Sequence, residues 1–211
     1  MLEKLDFGNC FNIAISGKAN SGKNTVFKIL VEELGLVDSV VKDIAFADPI
    51  KDGLLKLYPR ARRDYLFGPS KLRAEIIPGT TVTYRQVLCD LGAQARKYDE
   101  DHWVKILIDE VHGLQSCSEK FPQPLQTKAM VVTDLRFPNE FTALREQGFY
   151  VIRVKREEQL NLTDISETSQ DALTDEVFNA VLKNNGTLDE LRLKCKAIAT
   201  HLKEIKCRSL G

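Results

Sequence analysis

No apolar run in the 211-residue sequence approaches the length of a membrane span, and the opening MLEKLDFGNC lacks the apolar core of a secretion signal. The five cysteines, Cys10, Cys89, Cys117, Cys195 and Cys207, are odd in number, scattered, and never spaced C-x-x-C. That argues against a disulfide framework or a zinc site and fits reduced thiols in the cytoplasm. Histidine is scarce as well: His102, His112 and His201 lack ligand spacing, which leaves a catalytic zinc without support. Net charge is missing too, with Lys plus Arg and Asp plus Glu at 30 each. No global field draws the chain toward a nucleic-acid polymer or an anionic membrane, and no basic stripe with interleaved aromatics is present. What remains is the composition of a soluble intracellular protein, 43% hydrophobic and 28% charged. Its length suits one α/β domain with insertions, or at most two small domains.

Strand and helix patterns alternate along the chain. Phe11 to Ser16 reads as a short buried strand ended by Gly17, and residues 24–35 as an amphipathic helix with Val26, Ile29, Leu30 and Leu34 on one face. A second strand is predicted at 40–46, then a helix opening at Asp48-Pro49 with Asp48 as N-cap. Residues 58–83, rich in Pro, Gly and Arg, read as an irregular excursion, followed by helices at about 84–97 and 101–116 and a loop over 114–127. A β-rich run at 128–135, a helix from Asn139 to Gln147, a strand at 148–156, a short strand from Val177 to Leu182 and a helix from Leu188 to about Lys206 complete the pattern. Such alternation implies a mostly parallel sheet covered on both faces.

Glycine carries the sharpest local signal. Gly17, Gly22 and Lys23 satisfy G-x-x-x-x-G-K between an apolar strand and a helix, where backbone N–H groups and the positive helix end cradle phosphate. The glycines permit the backbone angles and close approach, and Lys23 reaches outer phosphates. Asn24 stands where a hydroxyl normally ligates Mg²⁺; its amide oxygen is a weaker ligand, and Thr25 offers a hydroxyl for metal or phosphate. MVVTD sets Asp134 at the end of an apolar strand, to orient Mg²⁺ or its waters, or else to cap the next turn.

The N-K-x-D signature that reads guanine is missing, which argues against a GTPase. Transfer to an alcohol calls for a general base, whereas a monophosphate acceptor is already anionic and calls for cations. Local cations are plentiful: Lys51; Arg60, Arg62, Arg63, Lys71 and Arg73; Arg85; Arg136; Arg153, Lys155 and Arg156. Each alone is an ordinary surface charge, so the grouping counts for more than its members.

GKANSGKNT, FADPIKD, LFGPSKLR, YRQVLCDLGAQARKYDEDHWVK, VVTDLRFPNE, SETS and NNGTLDEL occur in this order. Together they resemble the deoxynucleoside monophosphate kinases of tailed bacteriophages, over about residues 11–192, with DLRFPNE and the DEDHWV segment the most specific parts. The resemblance implies a P-loop nucleoside monophosphate kinase fold, an α/β parallel sheet flanked by helices. Its core would span about 11–47, 128–154 and 176–206, with an acceptor-binding insertion at 48–116 and a lid at 155–175. It implies ATP with Mg²⁺ on Gly17, Lys18, Ala19, Asn20, Ser21, Gly22, Lys23, Asn24 and Thr25, with Arg153 and Arg156 closing on the nucleotide and Asn185 and Gly186 near adenine. The metal would be held through Asn24, Thr25 and Asp134. For the deoxynucleoside monophosphate it implies Lys51, Arg73, Arg85 and Arg136, with Glu140 fixing Arg136 or meeting the acceptor. His102 and Trp103 would shape that pocket, or Trp103 is simply core. Lys23, Arg136, Asp134 and Arg85 are then the expected catalytic set, in a cytoplasmic enzyme whose closing helix leaves a homodimer open. Rival readings are another small-molecule P-loop kinase, of the dephospho-coenzyme A or phosphomevalonate type, or a nucleotide-binding regulatory module.

Overall fold

A computed structural model of the chain describes residues 10–120, 127–157 and 169–209. Five parallel strands form one sheet in the order β2-β3-β1-β4-β5: β1 Phe11–Ser16, β2 Val41–Ile44, β3 Ala129–Leu135, β4 Tyr150–Lys155 and β5 Ala180–Lys183. β1 lies at the centre and all six of its residues are buried. Ile13, Ile15, Val131, Ile152 and Val154 point to one face, as the two-residue period of a strand requires. There they meet helix α1, Lys23–Leu34, through Val26, Ile29, Leu30 and Leu34. The long closing helix, Leu188–Ser209, adds Leu191, Cys195, Ile198, Ala199 and Leu202 at helical spacing. Ala14, Met130, Val132 and Val151, on the other face, are equally buried, so the sheet is covered on both sides.

The remaining helices, in chain order, are α2 Asp48–Leu57, α3 Arg63–Phe67, α4 Tyr84–Tyr98, α5 His102–Lys120 and α6 Pro138–Glu146, the closing helix being α7. α1 ends where Gly35 turns left-handed (φ 73°) and Leu36 N–H returns to Val31 O at 3.1 Å, a Schellman closure that satisfies orphan carbonyls. α4 starts on a capping box: Thr83 Oγ1 accepts from Gln86 N–H at 3.2 Å, and Gln86 Oε1 accepts from Thr83 N–H at 2.9 Å.

Several sequence expectations need correction. The N-cap of α2 is Ala47 in a helical conformation, not Asp48. Asp48 is drawn instead to Lys51, whose Nζ donates to Asp48 Oδ1 at 2.6 Å one turn on. Residues 58–83 are not irregular throughout: they hold α3, a 3-10 turn at Ser70–Ala74 and an antiparallel bridge between Ile76 and Thr83. They also have a core of their own, because fully buried Leu66 and Ile77 pack with Leu54, Tyr84 and Val87. α5 continues through Lys120 into the expected loop, its polar residues interrupted by no proline before Pro122. The last strand begins at Ala180 rather than Val177. Phe178 N–H closes a 3-10 turn onto Asp175 O, and Asn179 accepts from Arg145 and from Val151 N–H before pairing resumes. Much of the expected lid, residues 158–168, lies outside the described residues.

The described chain forms two compact units, one drawn from residues up to Ala45 and from Ile108 onward, the other Phe46–Leu107.

Candidate functional site

In the sheet unit, β1 runs straight into the glycine loop. Gly17 has φ 154°, and a Cβ there would fall 2.5 Å from Val154 O and 2.6 Å from Ser21 Oγ. Only a residue without a side chain lets the loop leave the strand so close to β4. Asn20 turns left-handed (φ 62°), which Asn tolerates, and Ser21 N–H closes the turn onto Lys18 O at 3.2 Å. Gly22 (φ 100°) serves as N-cap of α1 without a side chain that could cap. No acidic residue occupies the first turn either, so the positive end of α1 is left to an anion. Lys23 Nζ arches back over the loop, donating to Gly17 O and, at 2.9 Å, to Lys18 O. Asn24 and Thr25 are exposed on the first turn.

β3 pairs beside β1 with Leu135 opposite Ser16, so Asp134 and Arg136 flank the register position from which the loop departs. Asp134 and Arg136 are both half-buried. Glu140 is 2% exposed, and its Oε2 accepts from Arg136 N–H at 2.8 Å and Phe137 N–H at 3.0 Å. This carboxylate caps α6, with Pro138 opening the helix, and fixes the backbone that carries Arg136.

Beyond the loop lies a cavity of about 320 Å³ whose lining includes Gly17, Lys18, Lys155, Arg156, Lys183 and Asn185. Its charged lining is completed by Arg153 and by the carboxylates of Glu157 and Asp171, so cations outnumber carboxylates five to two, which suits a polyanion. Arg153 lines the same cavity, yet its guanidinium is committed: it donates to Leu173 O at 2.5 Å, Gln170 O at 3.0 Å and Asp175 Oδ1 at 3.2 Å, over the Phe178 ring at 5.0 Å. It anchors the segment 170–175 to β4. Lys155 joins the anchor at 2.6 Å from Asp175 and, by that hydrogen bond first, holds the Asp175 carboxyl below the usual carboxylate range. Lys18 meets Asp171 at 3.1 Å across the cavity, and Asn185 Oδ1 accepts from Glu157 N–H at 2.9 Å. Gly186 sits one residue further out, exposed at the turn into α7 and absent from the lining.

One loop neighbour was missed by sequence reasoning. Asn184 Nδ2 donates to Ser21 O at 2.8 Å. It adjoins Asn185, which the NNG turn singles out; only the period of the strand, which sends neighbours to opposite sides, distinguishes the two.

In the second unit, Lys51 is 8% exposed, paired with Asp48 and 4.8 Å from the Phe67 ring centroid; Arg63 covers the same ring at 4.1 Å. Arg73 Nε donates to Leu66 O at 3.2 Å, and exposed Arg85 donates to Ser70 O at 3.4 Å. Both arginines thus gather at the Ser70–Ala74 turn. Trp103 is 9% exposed, donates through Nε1 to Gly92 O at 3.0 Å and stands edge-on to His102 at 4.6 Å. It closes an apolar cleft of about 280 Å³ between Ile50 and Leu91.

Among the described residues, no group of three or more His, Cys, Asp or Glu could hold a metal, and no helix is long and apolar enough to cross a membrane. Asn24, Thr25 and Asp134 supply hard oxygen donors, the type that Mg²⁺ takes one or two at a time beside water and phosphate.

The family whose description is deoxynucleotide monophosphate kinase matches residues 73–195, more than half of the chain. A protein of Acanthamoeba polyphaga mimivirus, provisionally named a deoxynucleotide monophosphate kinase, is 22% identical over 180 residues, covering 84% of this chain and 90% of that protein. Among solved structures, a gluconokinase from Sinorhizobium meliloti 1021 aligns with a TM-score of 0.43 at 16% identity, over 93% of this chain and 95% of its own. A dephospho-CoA kinase from Campylobacter jejuni aligns at 0.42 and 17%, over 92% and 97%.

Proposed function

We propose a specific phosphotransfer reaction from a plain premise: the chain belongs to the deoxynucleotide monophosphate kinase family. The reaction moves the γ-phosphoryl of ATP to a deoxynucleoside 5′-monophosphate, giving ADP and the deoxynucleoside diphosphate. The observation that carries it is the loop Gly17–Thr25, a glycine-shaped turn onto an uncapped helix start with Lys23 folded over it. Nothing in that cradle is acidic, so a triphosphate meets no repulsion from its floor. When it binds, Lys23 exchanges two neutral carbonyls for phosphate oxygens, a stronger charge-assisted contact.

Asn24, Thr25 and Asp134 fit Mg²⁺ by donor type, and the ion, when bound, neutralises charge on the transferring phosphates. Arg136, on a backbone pinned by Glu140, adds positive charge as the phosphoryl moves, a role that the fixed backbone supports. Lys51, Arg73 and Arg85 bind the acceptor's phosphate. Because that phosphate is already anionic near neutral pH, no general base is required, and none of the chain's histidines is asked to serve as one. Trp103 spends its indole N–H on Gly92, which leaves ring faces and edges, rather than a donor, for any contact with a base. Arg153 shapes the nucleotide wall through the segment it anchors. We read the protein as a cytoplasmic enzyme that supplies DNA precursors, in a phage-infected host if it is phage-encoded.

The test is ADP release from Mg-ATP with each of the four deoxynucleoside monophosphates, their ribose counterparts and dephospho-coenzyme A. Turnover is expected with one or more deoxynucleotides, and Lys23→Ala is expected to lower it at least about a hundredfold. Activity on dephospho-coenzyme A alone overturns the acceptor; ATP binding without turnover on any acceptor overturns the reaction; an intact rate in Lys23→Ala overturns the site.

A further inference from the structure

We propose that Asn184 is a positioning residue of the phosphate loop, holding the Ser21–Gly22 peptide in its anion-binding orientation. The inference rests on reading Gly17–Thr25 as the donor-nucleotide site, and it adds a residue that no loop motif contains. Asn184 follows the last residue of β5, and its own N–H donates to Lys155 O at 2.7 Å, extending the β4–β5 ladder by one bond. Its backbone is therefore fixed by the sheet. From there its Nδ2 donates to Ser21 O at 2.8 Å, across 163 residues of sequence.

The physical consequence follows from the planar trans peptide. The C=O and N–H of one peptide unit point in opposite directions, so anchoring the Ser21 oxygen toward Asn184 turns the Gly22 N–H the other way. No acceptor among the described residues takes that N–H. The anchored oxygen is also the one whose rotation would bring a negative dipole end toward the bound phosphates. Fixing it beforehand removes a reorganisation that binding would otherwise have to drive.

Gly22 supplies an independent observation. A Cβ there would lie 2.3 Å from Asn184 Nδ2, closer than any real contact. The second glycine of the loop is thus required by its φ of 100°, and the Asn184 amide occupies the space into which a Cβ would push, so a side chain at that position would displace the amide. Asn184 is half-buried, neither a solvated surface amide nor part of the core beneath the sheet.

Asn184→Ala and Asn184→Asp separate donor from shape, since Asp has nearly the same outline but presents a carboxylate to the Ser21 carbonyl. The measurements are ADP affinity by calorimetry, and KM for ATP against kcat and KM for a deoxynucleoside monophosphate. In Asn184→Ala, ADP affinity is expected to fall about tenfold and the ATP KM to rise by a similar factor, with the acceptor KM unchanged within twofold. Asn184→Asp is expected to be the worse of the two. A side chain that merely fills space gives the opposite order, with Asn184→Asp close to wild type, and that result overturns the proposal. So does wild-type ADP affinity in Asn184→Ala, or a fall confined to kcat and melting temperature. Wild-type protein that binds ADP but phosphorylates nothing sinks the kinase reading while the calorimetry still decides Asn184. If the wild type binds no nucleotide, both fall together.

Discussion

Charge is held in two different ways in the two units of this chain. Around the loop of the sheet unit, the key cations end on backbone carbonyls, in their own loop or in a neighbouring segment. Arg153 is buried against three oxygens and a ring face, and Lys23 is folded onto two carbonyls of its own loop. In the Phe46–Leu107 unit Arg62, Arg63 and Arg85 stay exposed and use whatever lies nearby: Arg62 pairs with Asp64 two residues on, Arg63 with Asp52, and both lie over aromatic rings. A wall braced by a locked cation keeps its shape when a phosphate arrives, and Lys23 has only neutral carbonyls to leave, whereas exposed pairs are weak in water and are readily exchanged. The first arrangement suits a site that must hold one invariant group, such as the triphosphate of the proposed donor. The second suits recognition that yields to its ligand.

The sharpest way to break this comparison is Arg153→Ala. Removal strands the carbonyl of Leu173, leaves that of Gln170 with Leu173 N–H alone and leaves the Asp175 carboxylate with Lys155 alone, all beside a side chain that is 10% exposed. Losing such a buried, multiply bonded cation should destabilise the fold by about 2–4 kcal/mol. A urea unfolding midpoint measures this. Arg153→Lys should recover little, because an ammonium on a flexible stem cannot reproduce the planar fork that reaches Leu173, Gln170 and Asp175 at once. A loss below about half a kcal/mol would mean that the anchor does not hold the segment.

The same contrast explains what was legible in the sequence. β1, α1 and β4 announce themselves because their apolar periods coincide with burial at Ile13, Ile15, Val26, Leu30 and Ile152. Gly17 and Gly22 are readable because their conformational demand is local, and the family resemblance rests on motifs that stand whole in the chain. The partners of Arg153 and Asn184 were not readable. Both depend on which segments β4 and β5 bring beside the loop, a matter of register across up to 163 residues that no local pattern encodes. Asp48 misled for a related reason, its preference for capping being outweighed by Lys51 one turn later. The excursion at 58–83 misled because Leu66 and Ile77 are too few and too widely spaced to show a period, yet each is fully buried.

Arg85 sharpens the comparison from the other side. It is exposed, with a 3.4 Å hydrogen bond to Ser70 O. Arg85→Ala should leave the unfolding free energy within about half a kcal/mol of wild type. If it meets the acceptor's phosphate, the KM for the deoxynucleoside monophosphate should rise about tenfold, the loss of one charge-assisted contact, while the KM for ATP holds. Steady-state kinetics with each substrate varied in turn gives the answer. Equal effects on both substrates would remove Arg85 from the acceptor side, and a large loss of stability would show that the second unit locks its cations after all.

The smallest expected effect lies at Asp175, the exposed edge of the Arg153 anchor. Its carboxyl is held below the usual range, first by the hydrogen bond from Lys155 and then by the nearby charges of Lys155, Arg153 and Lys183. A lowered carboxylate stabilises the fold fully above its unfolded pKa, roughly pH 4, and the contribution disappears as pH falls through the lowered folded value. Asp175 is 40% exposed and Lys155 44%, so solvent screening keeps the stabilisation below about 1 kcal/mol. Asp175→Asn should therefore lower the unfolding midpoint slightly near neutral pH, and the gap to wild type should close below the carboxylate range. A gap that persists unchanged in acid would assign the effect to the shape of the side chain instead of its charge. The buried half of the anchor, the bonds from Arg153 to the carbonyls of Leu173 and Gln170, does not involve that carboxylate, so acid should loosen the rim of the segment before it releases the segment itself.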